Sequence, residues 1–213
     1  MPFLQRCRNI NRKHNGALQS KRRNKISELS FAFQPGDAIL IIDVQNDFCP
    51  GGALPIAEGD QVVPVLNAWI DAASQAGIPV YLSRDWHPKY HPSFTEEGGL
   101  WPVHCLQDTP GAAFHPGLHI SPEVVIVTKG TRFDQDQNSA FDQTGLAVHL
   151  RKAGILRLIV GGLAEDVCVL ATVLDARTEG FAVSVIAAGT RPVTPAGGAA
   201  ARQKMTAVGV ELL

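Results

Sequence analysis

The sequence predicts an α/β fold: a three-layer α/β/α sandwich around a mainly parallel six-stranded sheet. From residue 38 onward, short runs rich in Ile and Val alternate with helix-length amphipathic stretches, which is the order typical of such sheets. The runs are apolar nearly throughout, as are strands that are covered on both faces. With 213 residues, 45% of them hydrophobic, the chain is long enough to bury its own core.

The predicted elements follow one another along the chain. The expected strands are apolar runs bounded by Gly, Pro or Asp, at 38–42, 78–82, 124–128, 156–160, 182–186 and 208–212. The expected helices lie between them, at 61–75, 144–152, 166–178 and 195–207. Gly77, Gly154 and Gly180 follow three of these helices, at the position where glycine commonly ends a helix.

The first thirty residues differ from the rest in charge. They hold eight of the 19 Lys and Arg residues and one acid, Glu28, which makes a charge of +7. We therefore expect residues 1–36 to form a basic, disordered leader and residues 37–213 to form the folded domain. The remaining chain has 11 bases and 19 acids, a charge of −8, which argues against a surface that binds nucleic acid.

The sequence also favours a cytoplasmic protein that does not bind membranes. It has no run of 18 apolar residues, and the leader lacks the apolar core of a secretory signal. The cysteines, Cys7, Cys49, Cys105 and Cys168, are widely spaced without a CxxC pair, a pattern that favours reduced thiols. The sequence leaves open whether the chain forms a homo-oligomer.

Reactive side chains stand at the ends of the predicted strands. Asp43, Asp85 and Lys129 directly follow or soon follow the first three strands, and Cys168 lies a short turn beyond the fourth. Because the loops at the carboxyl ends of parallel strands converge, we expect these four residues to lie together. Taken singly, Asp43 and Lys129 also fit solvated turn residues.

Cys168 has the surroundings of a nucleophile. It follows a strand, the turn that begins at Gly161 and the start of a helix, whose N-terminal amides favour a thiolate. Lys129 would favour the thiolate too, and Asp43 beside the sulfur would take its proton. Amides of the turn would hold an oxyanion. The other interpretation of Cys168 is a buried structural cysteine.

The long connection between the second and third strands carries a metal-ligand pattern. It runs from residue 83 to residue 123 and is rich in Pro, Gly, His and Trp, and loops of that length are usually functional or disordered. Asp85 and His87, followed by His91 and His104, offer one carboxylate and neutral imidazoles, which suit a divalent transition metal. His91 also fits a hydrogen-bonded loop residue. Cys105 is expected to be structural, because adjacent residues of an extended chain point apart.

These motifs resemble those of the nicotinamidase/pyrazinamidase branch of the isochorismatase-like cysteine hydrolases. The resemblance spans about residues 38 to 212, so it implies an isochorismatase-like hydrolase domain over 37–213. It rests on the blocks IDVQNDFCPGG from Ile42, RDWHP from Arg84, VTKG from Val127, WPVHC from Trp101 and GLAEDVCV from Gly162.

The resemblance implies an amidohydrolase that converts nicotinamide to nicotinate and ammonia through a thioester, and that hydrolyses pyrazinamide as well. Its catalytic triad would be Asp43, Lys129 and Cys168. The backbone amides of Ala164 and Cys168 would hold the oxyanion, next to a cis peptide between Leu163 and Ala164.

The resemblance also implies a metal cofactor and a place for the substrate ring. Asp85, His87 and His104 would bind one divalent transition metal ion: zinc, iron or manganese. Phe48 and Trp101 would flank the pyridine ring.

Two departures and three alternatives accompany this interpretation. The spacing of His91 from His87 fits some relatives, in which the equivalent histidine lies near the metal without always binding it. Glu165 stands where relatives often have Thr, and it would add a charge near the thiol. A sister hydrolase acting on another small amide or carbamoyl compound would not need the metal ligands. An inactive relative that serves as a binding protein would not need the triad. Dinucleotide-dependent redox chemistry is disfavoured, because no GxGxxG motif follows the first strand.

Overall fold

A computed structural model describes residues 31–213 and has the predicted α/β architecture. Its six strands are β1 (Asp37–Ile42), β2 (Val80–Asp85), β3 (Val125–Lys129), β4 (Arg157–Leu163), β5 (Ala182–Arg191) and β6 (Glu211–Leu212). Its four α-helices are α1 (Val62–Gln75), α2 (Leu146–Lys152), α3 (Leu170–Thr178) and α4 (Pro195–Ala207). All six predicted strands are present. The predicted helix over 166–178 is split, because a short π-helical turn (Glu165–Val169) precedes α3.

The sheet is parallel at every pairing, in the order β3-β2-β1-β4-β5-β6. The chain therefore builds outward in one direction from β1 to β3 and in the other from β4 to β6. Strand order reverses between β1 and β4, and open α/β sheets bind ligands outside the carboxyl ends of their strands at such a reversal.

Helices cover both faces of the sheet. Side chains of β1 alternate between two apolar cores, with Leu40 in one and Ile41 in the other, because successive residues of a strand point to opposite faces. Helix α1 packs on one face through Leu66 and neighbouring residues. Helices α2, α3 and α4 pack on the other face, where Val173 and Met205 belong to the core. This is the predicted three-layer sandwich.

Packing begins slightly before the predicted start of the domain. The rings of Phe31 and Phe33 lie 4.9 and 6.2 Å from the ring of Trp69 on α1, centroid to centroid. Of the disordered leader expected over residues 1–36, residues 1–30 lie outside the described residues. In residues 31–213, no helix combines the length and the apolarity that a membrane crossing requires.

Candidate active site

The long loop between β2 and β3 is held by polar side chains that follow β1. Gln45 is fully buried, and its amide nitrogen donates to the carbonyls of Asp85 and Ala112 at 2.7 and 2.8 Å. Its amide oxygen accepts from the Asp85 amide at 2.8 Å. The Asp47 carboxylate accepts from the Cys105 amide at 2.7 Å. These bonds fix the start and the middle of the loop against β1, so the loop presents its side chains in one arrangement.

Lys129 lies between two carboxylates and a thiol at the carboxyl ends of the central strands. Its Nζ is 2.8 Å from an oxygen of Asp43 and 2.6 Å from Oδ1 of Asp85, and it donates to the Cys168 sulfur at 3.5 Å. The Ser83 hydroxyl donates to the other oxygen of Asp43 at 2.7 Å. All of these side chains are buried. The structure thus brings the three residues of the predicted triad together, with Asp85 beside them.

Burial and charge set the protonation of these groups. Burial raises the pKa of the Cys168 thiol well above its usual value. The positive charge of Lys129 lowers this pKa, whereas the negative charge of Asp43 raises it. Burial also raises the pKa of Asp43. For Lys129, burial favours the neutral form, but the two carboxylates outweigh it and hold its pKa well above the ordinary range. A fixed positive charge therefore stands beside a thiol and a carboxylate that can exchange one proton.

Asp85, His87 and His104 form a buried group with the donor set of a metal site. One ligand atom from each lies within 4.8 Å of the others. Nδ1 of His87 lies 3.0 Å from the Gly130 carbonyl, and Nδ1 of His104 lies 2.8 Å from the Pro102 carbonyl. A carbonyl can only accept, so both Nδ1 atoms carry the hydrogen and both Nε2 atoms present a lone pair.

The electrostatics of this group also suit a cation. Burial opposes ionisation of Asp85, but Lys129, His87 and His104 outweigh it and hold its pKa well below the usual range. Burial lowers the pKa of His104, although Asp85 opposes this, so the imidazole stays neutral as a metal ligand must. In the described chain, His87 Nε2 is buried without a hydrogen-bond partner. The residues present therefore fit a divalent metal.

His91 lies beside this group but differs from the other two histidines. Its ring is 4.3 Å from that of His87, and it forms a second potential ligand group with His87 and Asp136. However, its Nδ1 lies 2.8 Å from the Ser93 hydroxyl and accepts from the Ser93 amide at 3.3 Å, and within residues 31–213 its Nε2 is buried without a hydrogen-bond partner. Burial and His87 lower the pKa of His91 to about 4. In this arrangement His91 is a neutral, hydrogen-bonded loop residue.

The turn that carries Cys168 is anchored at both of its acids. The Leu163–Ala164 peptide is cis, as the resemblance implies. The Glu165 carboxylate is fully buried and accepts from Nε and Nη2 of Arg202 on α4 at 2.6 and 3.2 Å. The Asp166 carboxylate accepts from backbone amides at the start of the loop that leads to α4. The charge that Glu165 was expected to add near the thiol is therefore paired with a cation.

Two glycines allow the strands to meet at this site. A Cβ on Gly162 would lie 2.1 Å from the Ile42 carbonyl oxygen, and Gly162 has a φ of 122°, a conformation that other residues rarely adopt. A Cβ on Gly130, whose φ is 71°, would lie 2.6 Å from Cε1 of His87. Glycine at these positions lets β4 end against β1 and lets His87 lie against the end of β3.

A pocket opens between the thiol and the potential metal ligands. Phe48 and Trp101, the expected ring-binding residues, both line it. Ala164 and Cys168, whose backbone amides are expected to hold the oxyanion, line it as well. The full lining consists of Phe48, Leu54, Pro55, Ile56, Asp85, Trp101, His104, Asp136, Asn138, Ala164, Val167, Cys168 and Val193. Sequence reasoning missed Asp136 and Asn138. Both lie in the loop after Lys129, and no motif marks them.

Comparisons with known proteins agree with this geometry. The model of the Isochorismatase domain matches residues 37–213. The chain is 41% identical over 201 residues to the nicotinamidase of Escherichia coli strain K12, covering 84% of this chain and 94% of that protein. Among crystal structures, the pyrazinamidase of Pyrococcus horikoshii in complex with zinc superposes with a TM-score of 0.81 at 39% identity, covering 84% and 99% of the two chains. PnC1 from L. infantum in complex with nicotinate has a TM-score of 0.78 at 37% identity, covering 83% and 91%.

The matched domain, the sequence identity and the shared sheet topology all lead to the same assignment: the chain belongs to the isochorismatase-like hydrolases, in their nicotinamidase/pyrazinamidase branch.

Proposed function

We propose that this protein is a metal-dependent cysteine amidohydrolase that converts nicotinamide to nicotinate and ammonia, and that also hydrolyses pyrazinamide. One observation carries the proposal: the buried Asp43, Lys129 and Cys168 cluster adjoins the Asp85, His87 and His104 group through Lys129 and Asp85. Cys168, Asp85 and His104 line one pocket. A sister hydrolase of other small amides would not need the second group. The names of the E. coli and P. horikoshii relatives support the same substrates.

Catalysis begins with transfer of the Cys168 proton to Asp43, next to the positive charge of Lys129. The thiolate attacks the carboxamide carbon, a C–S bond forms, and the carbonyl electrons move to oxygen, where the amides of Ala164 and Cys168 hold the charge. Collapse of this tetrahedral intermediate breaks the C–N bond as Asp43 protonates the nitrogen. Ammonia then leaves and a thioester remains on Cys168. Water then adds with loss of a proton to Asp43, and collapse breaks the C–S bond to give the acid and the Cys168 thiol.

The roles of the remaining pocket residues follow from their positions. Asp85, His87 and His104 would hold the metal, which we propose to be zinc, with iron and manganese as the other candidates. When bound, the ion supplies a Lewis-acid contact for the pyridine nitrogen, directly or through water. Phe48 and Trp101 line the pocket and would pack on the two faces of the ring.

The test measures ammonia release from purified protein incubated with nicotinamide, alongside metal analysis of the same sample. We expect ammonia and nicotinate in equal amounts, no release from Cys168→Ala, and loss of at least three orders of magnitude in Lys129→Met. Pyrazinamide and several unrelated small amides are assayed in parallel. Release from a carbamoyl compound but not from nicotinamide would replace this proposal with the sister-hydrolase alternative.

A further inference from the structure

Asn138 is a polar group in the pocket that the proposed mechanism does not use. Its side chain is half-buried and lines the pocket. The Cys168 thiol donates to its Oδ1 across 4.0 Å. Within residues 31–213, the thiol is the only hydrogen-bond partner of this side-chain amide.

The loop that carries Asn138 is rigidly attached. The neighbouring Gln137 is buried, accepts from the Thr131 amide at 3.0 Å and donates to the Asp142 carbonyl at 2.6 Å. The Ala140 amide donates to the Thr172 hydroxyl on α3 at 3.0 Å. The loop is thus tied to itself and to the helix that follows Cys168, and these bonds hold the backbone on both sides of Asn138.

The chemistry at Cys168 removes the donor that Oδ1 has in the free protein. When the thiol proton moves to Asp43, Oδ1 of Asn138 faces an anionic sulfur with no hydrogen between them. A substrate carbon about 3 to 3.5 Å from the sulfur, with its oxygen at the amides of Ala164 and Cys168 and its ring in the pocket, has its third substituent near the groups that surround the sulfur. In a primary carboxamide that substituent is NH2, which is a hydrogen-bond donor.

We propose that Asn138 is a specificity-determining residue whose Oδ1 accepts a hydrogen bond from the NH2 group of the substrate carboxamide. This inference rests on the proposed amidase function. Oδ1 exchanges its thiol donor for the substrate donor, so the residue favours primary carboxamides over esters of the same acid, which offer no hydrogen at that position. A site built to bond a donor discriminates against analogues that lack it, because its own polar group is then left without a partner.

The experiment compares nicotinamide with methyl nicotinate in wild type, Asn138→Leu, Asn138→Ala and Gln135→Ala. Leu keeps the approximate size of Asn without its amide, and Gln135 is an exposed residue of the same loop, whose substitution we expect to leave both activities unchanged. In the two Asn138 variants we expect kcat/KM for nicotinamide to fall about tenfold, the ratio of one neutral hydrogen bond. For methyl nicotinate we expect no fall in kcat/KM, because the ester offers no hydrogen to Oδ1.

Two further measurements keep the outcome decisive. Binding of both compounds is measured by calorimetry on the Cys168→Ala background, where turnover is not needed. There, Asn138→Leu should weaken the binding of nicotinamide about fivefold to tenfold and should not weaken the binding of methyl nicotinate. The rate at which methyl methanethiosulfonate modifies Cys168, followed by mass spectrometry of its peptide, should differ by less than about twofold between wild type and Asn138→Leu.

The possible failures are separable. If the Asn138 variants lose kcat/KM and binding equally for nicotinamide and methyl nicotinate, or lose neither, the proposed role of Asn138 is overturned. The proposed amidase function would still stand. A fall in thiol modification that matches the fall in turnover would show that Asn138 acts on the nucleophile instead. Absence of ammonia release from wild type would reject the proposed function itself, and the inference with it.

Discussion

Arg202 of α4 holds both carboxylate oxygens of Glu165, three residues before Cys168 in the chain. Glu165 is fully buried, whereas the Arg202 side chain is 47% exposed. The pair joins α4 to the turn that carries Cys168. Removing one partner of a buried pair costs more than removing both, because the remaining charge loses its compensation.

We therefore expect Arg202→Ala to lower the free energy of unfolding by about 2 kcal/mol, below the value for a fully buried pair because Arg202 is half-exposed. The double variant Glu165→Ala/Arg202→Ala should be more stable than Arg202→Ala alone. Urea unfolding of the single and double variants checks this. A double variant that is less stable than either single one would show that Glu165 stabilises the turn by some other contact.

Gly130 makes room for His87, and substituting it should weaken metal binding. In Gly130→Ala the new Cβ would lie 2.6 Å from Cε1 and 2.8 Å from Nδ1 of His87, so the ring must move. We expect the affinity for zinc to fall about tenfold or more, measured by competition with a chromophoric chelator.

Gly154→Ala is the matched control for this variant. Gly154 has a φ of 72°, close to the 71° of Gly130, but nothing lies within 4 Å of its added Cβ. Both variants carry the same backbone strain, about 1 kcal/mol, and Gly130→Ala should lose further stability because its Cβ also displaces His87. If Gly154→Ala loses as much zinc affinity as Gly130→Ala, displacement of His87 is not the cause.

Asp37 stabilises the start of β1 in a pH-dependent way. Its carboxylate is 2% exposed and accepts from Arg157 at 2.8 and 2.7 Å and from the Gln34 amide at 2.7 Å. Burial opposes its ionisation, but these bonds outweigh it and hold the pKa of Asp37 below its ordinary value. Its stabilisation is therefore complete above the unfolded pKa of about 4 and is lost as the pH falls through the lower, folded pKa.

Asp37→Asn should lower the free energy of unfolding by about 2 kcal/mol at pH 7. Denaturation of wild type and variant at several pH values measures how this difference in unfolding free energy changes with pH. The difference should be the same at pH 7 and pH 5 and should shrink below about pH 4. A difference that stays constant down to pH 3 would mean that Asp37 contributes through packing or neutral hydrogen bonds alone.

Two truncations test where the folded domain begins. Deletion of residues 1–30 should leave activity and stability unchanged, because every proposed catalytic and metal-binding residue follows residue 37. Deletion of residues 1–36 also removes the ring contacts of Phe31 and Phe33 with Trp69, so it should lower the free energy of unfolding by about 2 kcal/mol. If the shorter deletion folds but loses activity, residues 1–30 are required for catalysis.

The sequence by itself determined the sheet and most of the candidate site. Strand and helix patterns are local, and the rule that sites form at the carboxyl ends of parallel strands was enough to group Asp43, Asp85, Lys129 and Cys168. The structure places them together around one ammonium group.

Only the tertiary structure decided the features that depend on loops meeting across the fold. No local pattern shows that Glu165 meets Arg202, or that Asn138 lies beside the thiol. The contact of His91 with Ser93 is a loop geometry that spacing does not encode. The physical reason is the same in each case: residue type and spacing determine which element forms, whereas the partner of a polar group depends on which segments pack around it.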